Sequence, residues 1–113
     1  MLSVVTAIIK PHRLTEVKAA LQELGVQGLT VSEVKGFGRQ GGHTETYRGA
    51  EYSIAFVPKV RVEVLASSGE AEKIADVIAA ASHSGRIGDG KIWVTAVAHA
   101  VRIRTGERGV DAL

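Results

Sequence analysis

Residues Leu29 to Leu65 read LTVSEVKGFGRQGGHTETYRGAEYSIAFVPKVRVEVL, and whether a helix interrupts them decides the fold. Leu29, Val31 and Val34 mark a strand over Leu29 to Phe37. Val60, Val62 and Val64 alternate with Lys59, Arg61 and Glu63 in another strand, Ile54 to Leu65, a period of two being the mark of a sheet with unlike faces. Between them, Gly42 to Glu51 lacks the three- and four-residue apolar spacing of a helix. Two strands therefore follow one another directly, joined by an exposed loop, 37–54, that carries glycines, charges and tyrosines with almost no core-forming residues. Loops of that length in a small domain are functional or disordered, and the flanking strands favour function.

Outward from this pair, each side supplies one strand and one helix. Leu2 to Ile9 is rich in Val and Ile and stops at Lys10-Pro11, as a buried strand does. Leu14, Val17, Leu21 and Leu24 then share one helical face, with Glu16 in the first turn and Gly25 placed to end the helix. On the other side Ser67-Ser68-Gly69-Glu70 matches a capping box, and Ala71, Ile74, Ala75, Ile78 and Ala81 mark the buried face of a helix stopping near Ser82. Ile92 to Ala98 is the last strand, and residues 102–113 form a short final segment. The order β-α-β-β-α-β is that of an α+β, ferredoxin-like sandwich with an antiparallel sheet and both helices on one face. The uncovered face needs a partner. The alternating apolar positions of the third strand and the run Ile92-Trp93-Val94 are expected to bury it by self-association.

Composition sets outer limits. The 113 residues make one domain, 1–113. Hydrophobic residues are 45% of the chain, yet no apolar run approaches the ~20 residues of a membrane span. Without cysteine there is neither disulfide nor thiolate metal site, and the N-terminus lacks the positive n-region of a signal peptide, so a cytoplasmic location is expected. A net charge of +2 and 4% aromatics give little to bind nucleic acid directly.

Three segments could carry ligand chemistry. Gly36-Phe37-Gly38-Arg39-Gln40-Gly41 formally matches Gly-x-Gly-x-x-Gly, but without a following helix to receive a pyrophosphate it is no dinucleotide fingerprint, and no Gly-Lys-Ser/Thr makes it a P-loop. It remains a place where backbone N–H groups can approach an anion, or a plain flexible loop. Residues 84–91, Ser84-Gly85-Arg86-Ile87-Gly88-Asp89-Gly90-Lys91, hold three glycines, two cations and a carboxylate. They read equally as a phosphate loop or as a helix cap with a hairpin-like turn. Arg102 and Arg104, at strand spacing, would point to one side and suit a polyphosphate, the plain alternative being a solvated basic edge. His12, His43, His83 and His99 lack ligand-like spacing, and no nucleophile is matched with a base. Trp93 and Phe56 read as core or subunit contacts, while Tyr47 and Tyr52 sit in or beside the polar loop as anchors or modifiable hydroxyls.

The words Ala7-Ile8-Ile9-Lys10-Pro11, Val31 to Gln40, His43-Thr44-Glu45, Tyr47-Arg48-Gly49-Ala50-Glu51-Tyr52, Gly88-Asp89-Gly90-Lys91-Ile92 and Val101 to Glu107 together resemble the PII nitrogen-regulatory signalling proteins, essentially end to end. The resemblance implies a homotrimer whose intersubunit clefts bind ATP or ADP. Gly36, Gly38, Arg39 and Gln40 would come from the loop base, and Gly88, Asp89, Gly90 and Lys91 would form the phosphate loop. Arg102 and Arg104 would reach in from the neighbour, with Thr30 and Glu63 near adenine and ribose. It further implies 2-oxoglutarate bound with ATP and Mg²⁺: Gln40 as metal ligand, Lys59 on the distal carboxylate, and backbone donors at Gln40, Gly41 and Gly88. Position 41 is often Lys in the family and is Gly here. Implied partners are an ammonium transporter, through which the protein would reach the membrane, a nucleotidyltransferase, and N-acetylglutamate kinase or acetyl-CoA carboxylase. Ala50 stands where phosphorylated relatives carry Ser, which leaves Tyr52 as the modifiable position, by uridylylation or adenylylation. The ending Thr105 to Leu113 resembles actinobacterial members and favours AMP. Two other readings are a small nucleotide hydrolase using Asp89 or Glu63 as base, and a PII-like trimeric module for a metal or cyclic nucleotide.

Overall fold

A computed structural model of the chain describes residues 1–38 and 55–113. Four strands, β1 (Leu2–Ile9), β2 (Thr30–Gly36), β3 (Val57–Ser67) and β4 (Lys91–Val97), alternate with two helices, α1 (Leu14–Leu24) and α2 (Ser68–Ser82), in the order β1-α1-β2-β3-α2-β4. The sheet runs β2-β3-β1-β4 with every neighbour antiparallel. This is the ferredoxin-like α+β arrangement read from the sequence.

Val5, Ala7 and Ile9 of β1 and Val60, Val62, Val64 and Ala66 of β3 form one core with Val17 and Leu21 of α1 and Ala71, Ile74 and Ile78 of α2. Fully burying aliphatic side chains contributes roughly 1.5–3 kcal/mol each, which is why β1 is rich in Val and Ile and the inward positions of β3 are Val60, Val62 and Val64. At its C-terminal end α1 closes on Gly25, where the N–H of Val26 reaches the carbonyl of Leu21 at 2.9 Å.

Two expectations fail here. The apolar alternation of β3 faces the helices, because Val60, Val62 and Val64 are its buried set. The opposite face instead presents Lys59, Arg61, Glu63 and Leu65, in register with Val4, Thr6 and Ile8 of β1 and with Lys91, Trp93 and Thr95 of β4. That face is thus mixed rather than apolar. Trp93 is 47% and Phe56 62% exposed, so neither belongs to the core of the chain. The capping box is also unrealised. Ser67 takes the extended N-cap conformation but makes no cap bond, while the Ser68 hydroxyl pairs with that of Ser3 at 2.7 Å, tying the helix start to β1. Among the described residues no helix is long and apolar enough to cross a membrane.

Candidate functional site

Strand register explains why distant residues meet at one end of the sheet. Ile8 pairs with Lys91 and Ile9 with Val60, so the residue after β1, Lys10, lies beside both the 84–91 loop and Lys59. Val34 pairs with Lys59, and a Cβ built on Gly36 would lie 3.9 Å from Lys59 Cγ, which brings the end of β2 to the same place.

The loop is folded around one carboxylate. Asp89 Oδ2 accepts the backbone N–H groups of Ser84 (2.8 Å) and Gly85 (2.9 Å). Its Oδ1 accepts the Ser84 hydroxyl and lies 3.2 Å from Lys10 Nζ, which also donates to Ser84 Oγ at 3.0 Å. These bonds, the Ser84 hydroxyl foremost, hold the Asp89 carboxyl far below the usual carboxylate range. Gly88 and Gly90 both take positive φ, +97° and +105°. At Gly90 space forbids a side chain as well, since a Cβ would sit 1.7 Å from the carbonyl oxygen of Ile8. The loop is therefore seated on the backbone of β1.

Lys59 completes this end. Its ammonium donates to the Gly88 carbonyl at 2.5 Å, and burial, then the charge of Lys10, lower its pKa against a smaller opposing effect of Asp89. Two cations and one carboxylate border Gly88, leaving positive charge that suits an anionic ligand.

The other predicted residues lie elsewhere. Thr30 and Glu63 are cross-strand partners, and both line an open cleft of about 690 Å³ together with the α1–β2 connection, Ala112 and Leu113. Arg102 and Arg104 are not in a strand: only Val101 makes a β-bridge, to Arg108, and the backbone turns at residues 103–105. Arg102 is held by Glu107 (3.3 Å), by the Ala112 carbonyl (3.3 Å) and by the Leu113 carbonyl. Because β4 leaves the loop at Lys91 and ends at Val97 opposite Leu2, it carries the arginines to the far end of the sheet. One chain does not bring them to the 84–91 loop. Arg39, Gln40, Gly41, Tyr47 and Tyr52 lie outside the described residues, and Gly38 has no neighbour within 4 Å of a built Cβ. Sequence reasoning gave Lys10 no role. The available signal was topological, because Pro11 ends β1 and the β1–β4 pairing puts the preceding residue beside Asp89.

A family model described as nitrogen regulatory protein P-II matches residues 2–107. The chain belongs to the nitrogen regulatory protein P-II family. It is 60% identical over 109 residues to the nitrogen regulatory protein P-II of Rhizobium meliloti, covering 96% of this chain and 97% of that one. It is 51% identical over 112 residues to the nitrogen regulatory protein GlnK of Escherichia coli, covering 99% and 100%. Among solved structures, Arabidopsis thaliana PII bound to citrate superposes with a TM-score of 0.82 at 37% identity, over 99% of this chain and 92% of the other. P-II family members carry the name of regulatory proteins, and this chain is a regulator rather than an enzyme. Asp89 in particular is a poor general base: a carboxylate already accepting four donors has little affinity left for a substrate proton.

Proposed function

We propose that this chain is a nitrogen-status sensor that assembles as a homotrimer, binds ATP or ADP in clefts between subunits, and reads 2-oxoglutarate beside the nucleotide. The observation that carries this reading is the end of the sheet where Lys59 and the Gly88–Lys91 turn meet. Glycines with positive φ open the backbone there to a phosphate, and a partly desolvated ammonium stands ready for a carboxylate. Thr30 and Glu63, further along the same sheet face, would hold the nucleoside. Arg102 and Arg104, at the far end of their own chain, would serve the loop of a neighbour, which is what supports assembly, together with the half-exposed Trp93 on the uncovered face. The solved PII relative holds citrate, a carboxylate ligand of the general kind proposed. Gln40 as the Mg²⁺ ligand and the backbone donors at Gln40 and Gly41 rest on family resemblance. An amide oxygen with phosphate and keto-acid oxygens is a donor set that hard Mg²⁺ accepts.

The long loop, 37–54, would carry the signal to an ammonium transporter or to an enzyme such as N-acetylglutamate kinase or acetyl-CoA carboxylase, and Tyr52 would be the position a nucleotidyltransferase modifies. Added bulk and negative charge there would release an inserted partner. Calorimetric titration with ATP·Mg²⁺, with and without 2-oxoglutarate, tests the sensor reading: 2-oxoglutarate heat only in the presence of ATP is expected. A stable monomer in sedimentation at micromolar concentration would remove both the trimer and the shared sites. Intact-mass comparison of native protein with Tyr52→Phe tests the modification, a nucleotidyl mass absent from the variant being the expected result.

A further inference from the structure

We infer that Lys10 is a positioning residue that keeps the Lys59 ammonium available to an anionic ligand by occupying Asp89 in its place. The role deepens the sensor reading above and rests on it for the identity of the ligand. The geometry is a competition between two cations for one carboxylate. A Cβ built on Gly88 would lie 3.4 Å from Lys59 Nζ and 3.6 Å from Lys10 Cε, so both lysines border the same glycine, with Asp89 as the next residue. Among the described residues only Lys10 is paired with Asp89, at 3.2 Å, and it is anchored a second time by Ser84 Oγ. Lys59 is left with a neutral partner, the Gly88 carbonyl. A carbonyl is a weaker holder than a carboxylate, and an incoming ligand carboxylate displaces it readily.

Without the Lys10 ammonium, Asp89 would lose its cation while another ammonium stood one residue away. A carboxylate is a stronger partner for an ammonium than a carbonyl, and Lys59 Nζ already stands at Gly88, the residue before Asp89, so it would turn to Asp89. The ligand would then meet a neutralised lysine. Lys10 lies outside the loop it serves, at the end of β1, so its distance from Asp89 is set by the β1–β4 register rather than by the loop itself.

The test compares full-length wild type with Lys10→Met and Lys10→Arg, with Lys10→Gln taking the place of Lys10→Met should the latter not fold. In ligand-free crystal structures, Lys59 Nζ is expected within ~4 Å of the Asp89 carboxylate in Lys10→Met and still on the Gly88 carbonyl in Lys10→Arg. Lys59 remaining on Gly88 in Lys10→Met would overturn the inference whatever the ligand. In titrations with 2-oxoglutarate at saturating ATP·Mg²⁺, Lys10→Met is expected to bind about tenfold more weakly, and Lys10→Arg, which keeps a cation on Asp89, to bind as wild type does. Lys10→Met binding 2-oxoglutarate as tightly as wild type also overturns the proposal. Absence of 2-oxoglutarate binding by wild type would instead sink the sensor reading, and the ligand-free structures would still decide the role of Lys10.

Discussion

The two ends of the sheet are built on opposite plans. At the end of the sheet beside the 84–91 loop, Lys10, Ser84 and Asp89 satisfy one another within a single chain, Lys59 rests on the Gly88 carbonyl, and Gly90 is seated against the Ile8 backbone. At the C-terminal end, among the described residues, Arg102 is tied only to its own final segment, Ile103 is 97% exposed and the surrounding backbone is turn. One end is finished by intrachain contacts; the other presents side chains outward. A residue that matters at the first end matters to folding and ligand together, whereas one at the second can be changed with little effect on the isolated chain.

The widest gap between the ends is expected from glycine substitutions. Gly90→Ala has to move β1 or the loop and adopt a disfavoured φ, costing ~2–4 kcal/mol in urea unfolding. Gly106→Ala, at φ +77° with nothing within 4 Å of the added Cβ, carries only the conformational cost of ~1–2 kcal/mol. Equal costs would break the contrast. Next in size, Arg104→Ala is expected to weaken ATP by roughly 1.5–3 kcal/mol with stability unchanged, whereas Lys59→Ala mainly abolishes 2-oxoglutarate binding. Normal 2-oxoglutarate binding by Lys59→Ala in the presence of ATP would remove the carboxylate assignment.

The pH dependence sharpens the first end, where Lys59 and Asp89 both titrate away from their ordinary values. Lys59 titrates below the ordinary lysine value of 10.5, so 2-oxoglutarate affinity should fall as pH rises through that lowered pKa, before ordinary surface lysines deprotonate. Here the folded state binds fewer protons than the unfolded one, so this group's contribution to stability rises with pH over the same window. Asp89 has the same sense in the acid range, its folded pKa also being depressed: its contribution is present above the ordinary carboxylate range and is lost as pH falls into strong acid. NMR titration of the Lys59 side chain checks the first, and loop amide shifts at Ser84 and Gly85 the second. Smallest of all, Glu107→Gln removes an exposed ion pair with Arg102 and should change stability by about 0.5 kcal/mol or less.

The legibility of these features in the sequence follows their range. Periodicity located both helices and all four strands, because burying Val17, Leu21, Ile74 and Ile78 requires a local spacing. It misassigned the apolar face of β3, since alternation says that two faces differ and not which of them a helix covers. The Ser67 cap is not formed, and the long-range bond at that helix start is made by its neighbour Ser68, to Ser3, a contact no local motif announces. Gly88 and Asp89 were visible as a dense cluster of turn residues, but the lysine closing that loop stands 79 positions before Asp89 by their numbers, and only the sheet register brings the two together. The Arg102 and Arg104 spacing appeared strand-like because two Arg flank Ile103, and a turn places them just as near in sequence without aligning them.

The direction of β4 has an arithmetic consequence. With the cation loop at the start of the strand and the arginines beyond its end, the proposed sensor reading would give each chain two unlike half-sites that it could not close upon itself. If the halves meet between neighbours, a closed ring holds as many whole sites as chains, and every junction has a donor and an acceptor. In a ring mixing wild-type chains with Arg104→Ala chains, each altered chain would silence one junction only. The remaining sites would titrate with unchanged affinity and reduced number, so stoichiometry rather than binding strength would report the composition of the ring.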